Sequence, residues 1–155
     1  MGDDAVRVDT SGLDEIIQQM QQMHETSGKA ARAMLTAGAN EFQREWIRAA
    51  VRNKHIATGD MKDSVASTGV RDRDGALTTE IYPQGTGRTG VSNALKAYVL
   101  HWGRAGKRTI PASQWVEEVE HKATPKATEV MADVWGEFVQ TGKVPKVQKL
   151  EQGQK

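Results

Sequence analysis

Cysteine is absent from this 155-residue chain. That excludes disulfides, thiolate metal sites and a cysteine nucleophile. Histidine occurs only as His24, His55, His101 and His121, and no two stand at metal-ligand spacing. No serine sits in a nucleophile elbow, and Asp60 and Asp63 read as residues that cap and solubilise a turn rather than as an acid pair. An enzyme is therefore the weaker class, and no cofactor or metal is expected. No apolar run approaches the roughly 20 residues of a membrane span. The start is acidic at Asp3 and Asp4 and carries no signal-peptide core, so the expectation is a protein made and kept soluble inside a cell, with no membrane partner. Charge of one sign is missing too: 21 basic and 20 acidic residues leave +1. A dedicated nucleic-acid binder carries a strong basic excess, which this chain lacks. Contact with DNA at one patch stays open.

Apolar residues are also in short supply, at 37% with 5% aromatic, against 26% charged. The length suits one domain able to bury a core without staples. So lean a composition implies loose ends, or a surface that partners complete.

What is present reads as α+β. Leu13, Ile16, Ile17, Met20 and Met23 follow helical spacing behind Ser11, with Asp14 as a weak capping-box partner and Thr26-Ser27-Gly28 as the stop. A second helix is expected over 29–52, opened by alanines and striped by Leu35, Gly38, Phe42, Trp46 and Ala49. The two would pair as an N-terminal helical hairpin. Thr58-Gly59 breaks that helix, and Asp60 caps a short turn that carries Met61 inward. A small antiparallel β part follows: a strand over 65–70, a charged turn over 71–75 and a returning strand over 77–82. Ser92 to His101 reads as a helix. Ser113 and then Thr124-Pro125 each open a C-terminal helix, the proline restarting the chain at a first helical position. Ala127, Val130, Met131, Val134 and Phe138 form the clearest amphipathic stripe, and Thr141-Gly142 ends it. The division is a domain over 1–142 and a flexible basic arm over 143–155, whose four lysines and Glu151 leave +3.

Two glycine-rich segments invite function. Gly85 to Gly90 spells G-x-G-x-x-G. A dinucleotide site needs a βαβ unit and an acidic residue about 20 positions on. No second parallel strand follows, and the first acid downstream is Glu117, so a loop ordered by a partner is the better reading. The second segment, 97–115, holds Tyr98, Trp102 and Trp115 around Gly103, Arg104, Lys107 and Arg108, with Pro111 as a stop. It reads either as an ordinary surface loop or as a base anchored by Tyr98 and Trp102 from which Gly103 to Arg108 reach a neighbour. His101 reads as a packed or interfacial histidine rather than a base.

Three stretches together resemble a known family. Thr58-Gly59-Asp60-Met61-Lys62-Asp63-Ser64-Val65 is similar to a T-G-x-L-x-x-S-I box. Ala97-Tyr98-Val99-Leu100-His101-Trp102-Gly103 is similar to a Y-A-x-x-V-E-x-G-T box, and Ile110-Pro111-Ala112-Ser113-Gln114-Trp115 to an x-x-P-F-L entry to a closing helix. The order resembles the tail-completion (head–tail joining, or minor tail) proteins of long-tailed bacteriophages over roughly residues 13–140. His101 stands where that family commonly has an acid, and Arg104 where it has threonine. The resemblance implies a non-enzymatic virion protein of the neck or tail, found in the host cytoplasm during assembly. It implies a homo-oligomeric ring, a hexamer, between a head-completion or portal-side connector and the tail terminator or tail tube, with DNA passing through. Thr58, Gly59, Tyr98, Trp102, Gly103, Arg104, Lys107, Arg108, Pro111 and Trp115 are the expected structural and interaction residues. A tail terminator capping the tube and a small nucleic-acid-binding regulator are the alternatives.

Overall fold

A computed structural model describes residues 11–153, with side chains from residue 17 onward. The expected capping box at Ser11 and Asp14 lies outside the described side chains. The α+β class holds, but the helical hairpin does not form. A single helix, α1, runs from Ser11 to Arg52. Thr26-Ser27-Gly28 does not stop it, for a physical reason. The Thr26 hydroxyl donates to the Gln22 carbonyl and that of Ser27 to the His24 carbonyl, so both fold back along the helix. Gly28 alone costs only about 1 kcal/mol in a helix interior. The true end comes at Lys54, which takes a left-handed φ of 58°. There His55 N–H reaches the Ala50 carbonyl (2.8 Å) and Lys54 N–H the Val51 carbonyl (3.1 Å), a Schellman closure without the usual glycine.

Helix α2, Asp60–Asp63, is a single turn that buries Met61, as expected. Its N-cap is Gly59 in the left-handed region rather than Asp60, and no side chain caps it. The β part is one interrupted hairpin. Strands β1 (Val65–Ser67) and β4 (Ile81–Pro83) pair antiparallel at its base, and β2 (Arg71–Arg73) and β3 (Ala76–Thr78) at its tip. The turn is thus shorter than expected: Arg71 to Arg73 are strand, and Asp74-Gly75 turns the chain with both φ values positive (54° and 81°). That is the pattern of a tight type I′ hairpin, which suits Asp-Gly. Between the two ladders the register slips by one residue. Thr68 N–H still pairs with the Glu80 carbonyl, and Gly69, at φ 78°, absorbs the extra residue as a bulge.

Helix α3 spans Asn93–Trp102, with the Ser92 side chain accepting from Leu95 N–H at its start. Helix α4 spans Trp115–Thr141 without a break and closes on Gly142 in the left-handed region. Pro125 therefore lies inside the helix instead of opening a new one. A proline there costs about 3 kcal/mol. The helix continues through it because Val119, Ala123 and Ala127, one turn apart, are all buried and share one face. Ser113 does not cap α4; Gln114 holds that position with no side-chain bond.

Helices α1 and α4 run antiparallel: Trp46 meets Trp115 near the start of α4, and Gly38 faces Met131 two-thirds of the way along it. The core gathers at the Trp46 end, from Trp46, Ile47, Ala50, Met61, Val65 and Val119 around Trp115. Trp115 is 1% exposed, and its ring stands edge-on to Trp46 with centroids 4.9 Å apart. Burying such a ring is worth about 1.5–3 kcal/mol.

Residues 143–153 form no helix or strand. The loose arm expected there is instead bonded back to α1. Asn40 Nδ2 donates to the Gln148 carbonyl (2.9 Å), Gln43 Nε2 to that of Glu151 (2.8 Å), and Leu150 N–H to Asn40 Oδ1 (3.1 Å). This explains why Asn40 and Gln43, both polar, are buried on α1.

Candidate interaction surface

The Thr58-Gly59-Asp60 turn is a clamp for a loop 28 residues away. Arg88 Nε donates to Asp60 Oδ1 (2.9 Å), its backbone N–H to Asp60 Oδ2 (3.0 Å) and its Nη2 to the Thr58 carbonyl (2.6 Å). The Arg88 guanidinium first, and its backbone N–H next, pull the Asp60 carboxyl down to about 2. Gly87 sits in the crowded middle, where a Cβ would press on Lys96 Nζ and stand 2.9 Å from Asp60 Oδ2. The G-x-G-x-x-G loop is accordingly folded, not free. Its Gly87 and Gly90 N–H groups are taken by the Val91 and Gly87 carbonyls, and Asn93 N–H by Gly85. A phosphate cradle needs such N–H groups pointing outward. The strand before the loop is antiparallel, which also removes the βαβ setting.

Helix α3 divides the next motif by face. Asn93, Ala97 and His101 recur every fourth residue and are buried. Leu95, Tyr98 and Trp102 stand on the opposite side at 52%, 61% and 58% exposure. Tyr98 and Trp102 thus do not anchor the segment; they pair with each other on the outside, centroids 6.4 Å apart. The anchors are Ala97 and His101. The His101 ring lies edge-on to Trp102 (4.6 Å), and its Nδ1 is 3.4 Å from Val116 N–H, so it packs as a core histidine.

Gly103 to Ile110 is a loop closed at its neck. Arg104 and Ile110 exchange both backbone hydrogen bonds at 2.8 Å. Gly103 enters it at φ 80° and ψ 176°, a region open only to glycine. Arg104, Lys107 and Arg108 are exposed on it, and Pro111 is exposed beyond it. Ser113 then returns to α3: its hydroxyl donates to the Leu100 carbonyl (2.7 Å), satisfying the end of α3 rather than the start of α4. His55 lies 3.4 Å from that hydroxyl and edge-on to Trp115, and burial pushes its imidazole pKa down.

Of the expected residues, Thr58, Gly59 and Arg104 come together around one groove of about 380 Å³, next to α3. Tyr98 and Trp102 share a neighbouring outer face. Trp115 is withdrawn into the core and is exposed on neither. The Arg88–Asp60 clamp was not legible beforehand, since no local spacing links the two. The far end of the molecule carries a second apolar row: Ile17, Met20 and Met23 are 44%, 64% and 70% exposed on the first turns of α1. Val139 and Trp135 are exposed near the end of α4. Glu118, on the core side of α4, is held down to about 2 by hydrogen bonds from Asn53, Lys122 and Arg52.

Among the described residues, no three of His, Cys, Asp or Glu come together to hold a metal ion, and no helix is long and apolar enough to cross a membrane. Residues 14–97, just over half of the chain, match the family described as "Bacteriophage HK97-gp10, putative tail-component". The match covers α1, α2, the hairpin and the first half of α3, and so takes in the Thr58–Val65 box but only the first residue of the 97–103 box. No curated protein and no solved structure matches the chain.

Proposed function

This chain belongs to the HK97-gp10-like family of bacteriophage tail components, and on that premise we propose that it is the subunit of a neck ring. The ring joins the head or portal side to the tail tube and lets DNA through. One observation carries this reading: two unlike apolar surfaces stand exposed at opposite ends of the subunit. One is the Ile17–Met20–Met23 row on α1, and the other is the Leu95–Tyr98–Trp102 row on α3. A two-fold dimer uses one surface twice, whereas unlike surfaces make head-to-tail contacts, which give a ring where the rotation between subunits closes. A ring of six is the proposed closure. The near-neutral charge supports a conduit, because every phosphate a lysine or arginine neutralises adds grip on DNA that must pass.

The first turns of α1 add to this. α4 is 27 residues long against 42 for α1, so α1 outruns its antiparallel partner by about 22 Å at a rise of ~1.5 Å per residue. Isolated helices shorter than about 12–15 residues are marginal in water, and most helix stability comes from packing. A neighbouring subunit supplies that packing. Co-purification tests the placement. Tagged protein should retain both a head-side connector and a tube or terminator protein. Retention of tube protein alone would overturn the joining role in favour of a terminator.

A further inference from the structure

The groove beside α3 has a chemistry that names its occupant. Its apolar lining comes from Met61, Val91, Leu95, Val99, Leu100 and Ile110. Three cations, Lys54, Lys96 and Arg104, also line it, and no carboxylate does. Asp60, nearby, is already taken up by Arg88 and Lys96. Lys54 and Arg104 have no acidic partner among the described residues. An occupant should therefore be apolar and anionic together.

The chain contains such a segment at Asp3-Asp4-Ala5-Val6-Arg7-Val8-Asp9, three aspartates and one arginine around two valines. It cannot serve its own groove. α1 spans 42 residues, which is about 63 Å at ~1.5 Å per residue. The groove begins at Lys54, past the far end of that helix. Asp3 lies eight residues before Ser11, and eight residues fully extended reach at most about 29 Å. We propose that residues 3–9 of one copy dock in the groove of the next copy, with Val6 and Val8 against the apolar lining and the aspartates against Lys54, Lys96 and Arg104. The inference rests on the ring reading and deepens it. It makes the contact directional, since each subunit gives an arm at one end and receives one at the other, the arrangement that closes a ring.

The absence of native cysteine makes the test clean. Particles are assembled with the full chain carrying Val6→Cys and Leu95→Cys, then oxidised and run without reductant. Because an arm cannot reach its own groove, every disulfide formed joins two copies. The expected result is a ladder from dimer to closed ring. Pairing Val6→Cys with Ala76→Cys on the hairpin tip should give none. Adding Arg104→Glu should weaken the Val6–Leu95 ladder, and Asp3→Lys with Asp4→Lys should restore it. Particles that carry the protein but yield no ladder above the Ala76 pairing overturn the arm contact and leave the ring standing. Complete particles that lack the protein overturn the ring reading and this inference with it.

Discussion

Gly103→Ala is the sharpest perturbation the fold offers. At φ 80° and ψ 176° the residue sits where L side chains are strained, at a cost of about 1–3 kcal/mol. A Cβ there would also stand 2.7 Å from both Ala112 N and the Ile110 carbonyl oxygen, and 3.2 Å from Pro111 C. All three are backbone atoms of the segment that carries the chain from the loop into α4, so no rotamer change relieves the contact. Overpacking of this kind adds about 1–3 kcal/mol. The middle of the two ranges is about 4 kcal/mol in total. For a chain of this size each kcal/mol shifts Tm by about 2–4 °C, so the expected drop is about 8–16 °C. Gly106→Ala separates the two causes. Gly106 has φ 134° but nothing within 4 Å of its Cβ position, so only the strain of about 1–3 kcal/mol applies. Thermal unfolding followed by circular dichroism compares the pair with wild type. A Gly103→Ala protein that melts within about 1 °C of wild type, or no lower than Gly106→Ala, would refute the reasoning.

Three further outcomes are expected. Tyr98→Ala with Trp102→Ala, both more than half exposed, should leave Tm within a few degrees while reducing attachment of tails to filled heads; a large loss of stability with full attachment would reverse the assignment. Asp60 and Glu118 have carboxyl groups drawn down to about 2 from 3.8 and 4.5, so their contribution is present above about pH 4.5 and lost as pH falls toward 2. The Tm difference between wild type and Arg88→Ala should therefore shrink over that window, and a difference that does not change with pH would show that the Arg88–Asp60 pair is not its source. Deleting 143–155 removes the three hydrogen bonds to Asn40 and Gln43; at about 0.5–1.5 kcal/mol each, Tm should fall by several degrees, and an unchanged Tm would mean the arm does not hold to α1.

Much of this fold could be read from local chemistry. Ser92 announces α3 because its side chain can accept an N–H in the first turn, Gly142 ends α4 because a left-handed residue suits glycine, and Asp74-Gly75 turns a hairpin. The errors share a cause, which is that local stop signals are weak beside tertiary burial. Gly28 and Pro125 each disfavour a helix, yet Val119, Ala123 and Ala127 find a continuous partner in α1 and carry the helix past Pro125. The site was harder. Tyr98 and Trp102 look like anchors because aromatics carry most apolar area, but which face of α3 turns inward is decided by the small Ala97 and the packed His101. Aromatic rings serve interfaces as readily as cores. The Asp60–Arg88 clamp and the arm on Asn40 join residues 28 and 108 or more positions apart, a separation no spacing rule reaches.

Cryo-electron microscopy of the intact particle, with subunit counting, tests the neck-ring claim most directly. One closed ring of six copies at the junction between head and tail is expected, with α1 of each subunit reaching its neighbour. Copies distributed along the whole tail, or finished particles without the protein, would contradict it.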